Sequence, residues 1–444
     1  MDTQFTEAQL ADSRISRAND ILRSCVHCGF CNATCPTYLL TGDERDGPRG
    51  RIYMIRDILQ EDREATSSEA HHLDRCLSCF SCVSTCPAGV DYRRLIDPMR
   101  ERLLRSFSQS LGGNIFRRLI GNVLTRPRLS GLLILISQPI RSFLRLIPGP
   151  FGRLFESLPA TKPSMPIVER LYKAKGDRKF RVILNSGCIQ QTVAPQINKS
   201  TISLLTRLGV EVVVPKGGVC CGSLDHHLGL SEKSINFARR NVRAWQAAEA
   251  SHGPIDAIIS NASGCGVMIR DYAELFKEDK NFLAVVKHYA EKAIDISFFL
   301  HEADLKLEIK EKLSLKVAFQ MPCSLLHGQG VAAEAGPELL RRAGFEVFRP
   351  KEEHICCGSA GTYSLLQGVM SEALKQRKLD TLKDLEVDVV ASANIGCMTQ
   401  LDGGLAVPTV HVVELLDWAT GGPMPNRQDG SMPGGVNGKT HYLA

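Results

Sequence analysis

One run of sequence occurs twice in this chain: Cys25-Val26-His27-Cys28-Gly29-Phe30-Cys31-Asn32-Ala33-Thr34-Cys35-Pro36, and then Cys76-Leu77-Ser78-Cys79-Phe80-Ser81-Cys82-Val83-Ser84-Thr85-Cys86-Pro87. Both read C-x₂-C-x₂-C-x₃-C-P, a spacing that suits cubane [4Fe–4S] clusters. Three thiolates two residues apart wrap three irons of one cube. The fourth Cys, followed by a Pro that turns the chain away, reaches the other cluster. By that rule the first cluster takes Cys25, Cys28, Cys31 and Cys86, and the second takes Cys76, Cys79, Cys82 and Cys35. Structural zinc also uses C-x₂-C, but as two separated pairs rather than four thiols in eleven residues with a trailing Pro. Between the runs, Ile52, Ile55, Ile58 and Leu59 recur at helical spacing. Pro48 to Glu64 is therefore expected to be a helix, the insert of an elongated two-cluster domain.

The chain has 16 cysteines in 444 residues. The remaining eight are Cys188, Cys220, Cys221, Cys265, Cys323, Cys356, Cys357 and Cys397, and none lies between Cys86 and Cys188. The length allows about three domains. Hydrophobic residues at 43% and charged residues at 23% are ordinary for a globular protein. Aromatics are 6%, with two Trp, which does not suggest a base-stacking surface. Met1 to Glu7 has no basic segment leading into an apolar one, so a reduced, cytoplasmic setting is expected. There, cysteines serve as metal ligands or redox groups rather than disulfides. No run reaches the roughly 20 apolar residues of a membrane span; Gly131 to Ile136 comes nearest.

The later cysteines repeat. Cys188 and Cys323 are 135 residues apart, Cys220 and Cys356 are 136 apart, and Cys265 and Cys397 are 132 apart. Their contexts match, most plainly Cys220-Cys221-Gly222-Ser223 with Cys356-Cys357-Gly358-Ser359. Each unit reads as strand, helix, strand, Cys-Cys-Gly loop, helix, strand, with short β-branched runs typical of buried parallel strands. Helices over Ile197 to Leu208 and Pro337 to Ala343 fill the crossovers. Ligands of such α/β units sit beyond the carboxyl ends of strands, where every one of these cysteines falls. Two four-thiol sets follow: Cys188, Cys220, Cys221, Cys265, and Cys323, Cys356, Cys357, Cys397. Each suits a multinuclear metal site or a redox pair, against the plainer role of small buried hydrophobes.

With these motifs in place, the sequence resembles the Cys-Cys-Gly domain family over roughly residues 10 to 420. That family occurs in heterodisulfide reductases and in iron–sulfur subunits of glycolate, lactate and anaerobic glycerol-3-phosphate dehydrogenases. Cys25 to Tyr38 and Gly47-Pro48-Arg49-Gly50-Arg51-Ile52-Tyr53 look most like glycolate oxidase iron–sulfur subunits. The resemblance, joined to the residue patterns, implies an α-helical bacterial-type 2[4Fe–4S] ferredoxin domain (10–100) and two tandem α/β Cys-Cys-Gly repeats (178–303 and 314–420), with a connector (101–165) that its composition makes basic and helical and a tail (421–444) that six Gly and three Pro make disordered. It implies an electron-relaying subunit with no catalytic residue of its own. FAD would sit on a partner subunit that oxidises glycolate to glyoxylate, and D-lactate as well, with a quinone or other acceptor beyond. The fullest family pattern closes each repeat with C-x₂-C, but Ala262 and Asn394 stand three before Cys265 and Cys397. The occupant of each four-thiol set, whether a further cluster, a metal or a partner-facing redox site, stays open. No G-x-G-x-x-G follows a strand, which agrees with a flavin held elsewhere.

Residues 100 to 153 hold ten Arg, no Lys and one acid, Glu101, a net charge of +9. Arg alternates there with apolar stretches, the composition of a helix lying on an anionic membrane surface. The expected location is the inner face of the cell membrane, with packing on a partner subunit or a plain linker as other readings. No nucleic-acid motif accompanies the charge. His27, His226, His227, His327 and His354 lie beside the cysteines and are candidates for metal or quinone contact, or for packing. The other readings are a lactate, glycerol-3-phosphate or heterodisulfide-reductase-like subunit and, in another class, a metal-stabilised assembly scaffold.

Overall fold

The helix expected between the two thiol runs spans Pro48–Gln60 and buries Ile52, Ile55 and Ile58 on one face. The computed structural model describes residues 1–105, 111–158, 167–311 and 313–425; side chains of 111–114 and 157 are not among them. From 426 onward, the tail expected to be disordered lies outside the described residues. In the first domain, helices Ser13–Ser24, Pro48–Gln60, Ser67–Asp74 and Arg93–Arg105 share a core of Leu22, Ile55, Ile58, Leu73, Ile96 and Leu103. Arg93–Arg105 crosses the expected boundary at residue 100, because Leu103 belongs to that core.

The connector forms helices Leu111–Leu124, Pro127–Ser137, Arg141–Leu144 and Pro150–Ser157. Phe116, Ile120, Leu124 and Leu154 turn inward against Leu365. Leu132, Leu135, Ile136, Phe143 and Leu146 stay 49–79% exposed. Its arginines divide in the same way. Arg117 pairs with Asp74, and Arg153 Nε donates to the Leu365 carbonyl at 3.0 Å. Arg118, Arg126, Arg128 and Arg145 are exposed. Among the described residues no single helix is long and apolar enough to cross a membrane; Ile115–Leu124 and Pro127–Leu144 pass as a pair bent by 101°.

The two repeats are separate sheets. In the first, β1 (Leu171–Tyr172), β2 (Phe180–Asn185), β3 (Val210–Val213), β4 (Ala257–Ser260) and β5 (Ala293–Asp295) lie in the order β1-β3-β2-β4-β5. In the second, β6 (Lys316–Gln320), β7 (Glu346–Phe348), β8 (Val389–Ser392) and β9 (Thr409–His411) lie in the order β7-β6-β8-β9. All pairs are parallel except β1 with β3. The registers correspond. Val182 lies between Val212 and Ala257, and Val317 between Val347 and Val389. Strands β5 and β9 add one three-residue strand per repeat that hydrophobic patterning does not reveal.

The repeats pack through exchanged helix pairs. Pro195–Arg207 of the first meets Val412–Ala419 of the second, and Ala335–Arg342 of the second meets Ile296–Glu302 of the first. Those are the same two helix positions with the repeats interchanged, the signature of a pseudo-twofold interface. One continuous core, including Leu204, Leu205, Leu339, Leu340, Leu415 and Leu416, runs across it. A fully buried Leu contributes about 1.5–3 kcal/mol, so the repeats are held as a rigid pair.

Candidate metal centres

Each thiol run curls because alternate residues take left-handed backbone. His27 and Gly29 have φ of 57° and 83°, and the matching Ser78 and Phe80 have φ of 50° and 60°. The curl turns the thiols of one run to one side. Pro36 then opens the helix Pro36–Thr41 and sends Cys35 away. The result is two small cavities of about 30 and 20 Å³. Cys25, Cys28, Cys31 and Cys86 line the first, together with Cys82. Cys35, Cys76, Cys79 and Cys82 line the second. Pro48, Cys82 and Tyr92 belong to both walls, so the cages adjoin.

The chemistry of this donor set fits a multinuclear cation. Burial, and then the crowd of neighbouring thiols, pushes Cys31 up to about 11. Burial drives Cys79 and Cys82 well above the usual thiol value. Thiols packed this closely cannot ionise together unless positive charge sits among them, and a bound iron–sulfur cluster would supply it. Backbone amides are already aimed at sulfur: Ser78 N–H to Cys76 Sγ and Val90 N–H to Cys86 Sγ, each 3.5 Å.

The wall of the second cage includes a buried charged group that sequence reasoning missed. Arg51 is 1% exposed, donates from Nε to the His72 carbonyl at 2.8 Å and lies 3.7 Å from Asp46. Asp46 also holds Arg75 and His72 Nδ1, each at 2.8 Å. The Thr37 hydroxyl bonds the Asp46 carbonyl at 2.6 Å and lies 3.3 Å from Cys35 Sγ. The signal was present: Arg51 occupies the apolar stripe Arg51–Ile55–Ile58, where a surface cation does not belong.

The eight later cysteines form two like arrays. Cys188 Sγ lies 3.2 Å from Cys220 Sγ. Cys220 contacts Cys221, and Cys221 contacts Cys265; Cys323, Cys356, Cys357 and Cys397 follow the same order. Hydrogen bonds from both neighbouring thiols hold Cys221 and Cys357 well below the usual thiol value. Gly222 and Gly358 take φ of 89° and 85°, and each donates its N–H at 3.4 Å to the sulfur two residues before it. A side chain there would strike Ser234 or the Ser371 carbonyl, which is why each loop carries Gly. Asn394, three residues before Cys397, donates to Cys397 Sγ at 3.6 Å. The structure opens both arrays onto one cavity of about 280 Å³, with walls from Leu77 and Phe80 of the second run and Leu124, Leu154 and Leu158 of the connector.

The second cage abuts the second array. Leu77, Cys356 and Tyr363 share an apolar cluster against which Cys79 and Cys323 both pack. The histidines divide. His27 stacks edge-on against Tyr53 at 4.9 Å. His226 Nε2 and His227 Nδ1 lie 3.3 and 3.8 Å from the buried Asp97. His327 bonds Ser84, and His354 offers it a backbone carbonyl.

Comparisons with known proteins agree with this layout. A 4Fe-4S dicluster domain model matches residues 21–90, and a cysteine-rich domain model matches 182–270 and 317–402. The glycolate oxidase iron-sulfur subunit of Escherichia coli K12 is 37% identical over 94% of this chain and 99% of that protein. The probable glycolate oxidase iron-sulfur subunit of Bacillus subtilis 168 is 29% identical over 90% and 94%. Lactate utilization protein A of Bacillus velezensis is 26% identical over 54% of this chain and 99% of that protein. A hypothetical protein from Helicobacter pylori shares the fold, with TM-score 0.54, 10% identity and coverage of 94% and 74%.

Proposed function

Since the chain belongs to the glycolate oxidase iron–sulfur subunit family, we propose that it relays electrons taken from glycolate by a flavin on a partner subunit toward a quinone. The observation that carries this reading is the pair of adjoining four-thiol cages, the second of which abuts the Cys323 array. Bound there, two cubane clusters would supply one-electron carriage between a two-electron flavin and a two-electron acceptor. Cys25, Cys28, Cys31 and Cys86 would hold one, and Cys76, Cys79, Cys82 and Cys35 the other. The protein's own contribution is to fix the thiols, exclude water and set local charge. The arrays around the shared cavity are candidates for a further cluster or metal. The lactate utilization relatives support a lactate-oxidising complex as a second reading, with the same relay.

We place the chain on the cytoplasmic face of the membrane. Exposed Leu132, Leu135 and Phe143 among exposed Arg118, Arg126, Arg128 and Arg145 support that docking. Each Arg near an anionic surface is worth about 1 kcal/mol.

The test of the relay is Cys79→Ser in the purified complex. Glycolate should still bleach the partner's flavin, while reduction of a short-chain quinone stops. Quinone reduction at the unaltered rate would overturn the relay and favour a scaffold.

A further inference from the structure

The two thiol runs fold alike but face different surroundings. At the position after the first ligand, Leu77 of the second run is 6% exposed, while Val26 of the first is 68% exposed. Leu77 is covered by the second repeat, packing with Cys356, Tyr363 and Met370. At the position before the third ligand, Ser81 is fully buried, while Phe30 is 60% exposed. Cys28 is exposed where the matching Cys79 is half-buried. The second cage is thus capped by a thiol-bearing domain of the same chain, and the first cage has no such cap among the described residues.

The uncapped loop is held firmly. Arg49 Nη1 donates to the His27 carbonyl at 3.4 Å, and Arg56 lies 4.1 Å over the Tyr53 ring that His27 stacks against. Val26 and Phe30 therefore project from a fixed backbone; Val26 also edges the first cage, while Phe30 lies outside its lining. A rigidly presented aromatic ring such as Phe30 is the kind of residue that is enriched at the core of protein interfaces, with Val26 as apolar surround. Their place on the loop that carries the exposed ligand thiol Cys28 points to a redox partner, since a cofactor held by a protein seated there would lie next to the first cage. The second cage shows what such a cap looks like when it is supplied within the chain.

We propose that Val26 and Phe30 form the docking surface for the flavin-bearing partner, which covers the first cage as the second repeat covers the second. This rests on the relay reading and adds to it the place where electrons enter. Two measurements test it in the co-expressed complex. In wild type, hydrogen–deuterium exchange of amides 26–31 should slow when the flavoprotein subunit is added. Unchanged exchange there would overturn the proposal. Slowing on concentration of this chain alone would assign the surface to a second copy, and would also overturn it. In Phe30→Glu, and in the double variant Phe30→Glu/Val26→Ala that leaves no charge in the cage lining, partner affinity should fall about tenfold or more, with iron content and the dithionite-reduced EPR signal retained. Val369→Glu, at an 85% exposed site on the second repeat, should bind as wild type. Equal binding by wild type and the double variant overturns the docking surface alone. If glycolate and partner reduce no cluster even in wild type, the relay reading itself fails.

Discussion

Ser84 Oγ lies 2.7 Å from His327 Nδ1, and this hydrogen bond joins the second thiol run to the second Cys-Cys-Gly repeat. The tautomer follows from the other side of the ring. Nε2 is 3.1 Å from the His354 carbonyl, which only accepts, so Nε2 donates; in the neutral ring Nδ1 then accepts from Ser84, whose hydroxyl turns to it in preference to the Ser81 carbonyl 3.0 Å away. Burial keeps the imidazole pKa below its ordinary value, which favours this neutral form. Ser84 stands between Cys82 and Cys86, so the bond fixes the ligand loop against the Cys323 array.

His327→Ala should loosen that junction without emptying the cages. A lost hydrogen bond costs about 1 kcal/mol, so amides 82–86 should exchange roughly fivefold faster. Iron and sulfide should stay at wild-type levels. Exchange unchanged at 82–86 would show that the bond does not hold the loop.

Arg51 is a buried cation in the wall of the second cage. Arg51→Met leaves Asp46 with Arg75 and His72 as its remaining partners, and breaking a buried pair costs about 3–5 kcal/mol. Thermal unfolding should report that loss. Because a nearby cation favours the reduced cluster, EPR titration should find one of the two potentials lowered and the other unmoved. Two unmoved potentials would remove Arg51 from the redox account.

Glu414 gives a pH signature. Burial raises its pKa from 4.5 to about 7. The folded state then holds a proton that the unfolded state has lost, so stability from this group is full below about pH 4.5 and is lost as pH rises through about 7. The slope is at most about 1.4 kcal/mol per pH unit. Asp295, raised to about 7, acts in the same sense, and His411, lowered to about 4, acts in the opposite one. The informative quantity is therefore the difference between Glu414→Gln and wild type. The variant's relative stability should climb from pH 4.5 to 7 and then level off. A flat difference would contradict the buried, protonated carboxyl.

The outer face of the connector should carry membrane binding. Leu135→Glu/Phe143→Glu leaves the inward Phe116, Ile120 and Leu124 untouched. Wild type should float with vesicles containing anionic lipid and be released by salt, and the variant should stay at the bottom of the gradient. Equal flotation would assign the face to something other than a membrane.

The thiol runs and the tandem repeat were legible because spacing along the chain is itself the chemistry. The crossed placement of Cys35 and Cys86 is an expectation from the rule for this run, in which the fourth Cys serves the other cluster, and the two cavities group the thiols in the same way. The succession of strands and helices along each repeat followed from β-branched runs, but the order of strands in the sheet did not, and β5 and β9, three residues each, carry too little pattern to be seen. The meeting of Asp97 with His226 and His227 joins segments more than a hundred residues apart, and only tertiary structure makes it. Charge in the connector read as one basic stretch. The structure splits it into arginines that brace the protein, Arg117 and Arg153, and arginines that face out, Arg118 and Arg145. Convergence of both later arrays on one cavity was equally invisible, since it depends on how the two sheets pack.

Iron and acid-labile sulfide, measured on anaerobically purified chain alongside zinc, test the central claim most directly. Two cubanes in the paired cages require about eight of each per chain, and more if the Cys-Cys-Gly arrays are also loaded. Cys79→Ser should lower both counts. Zinc in place of iron, with no labile sulfide, would contradict the account.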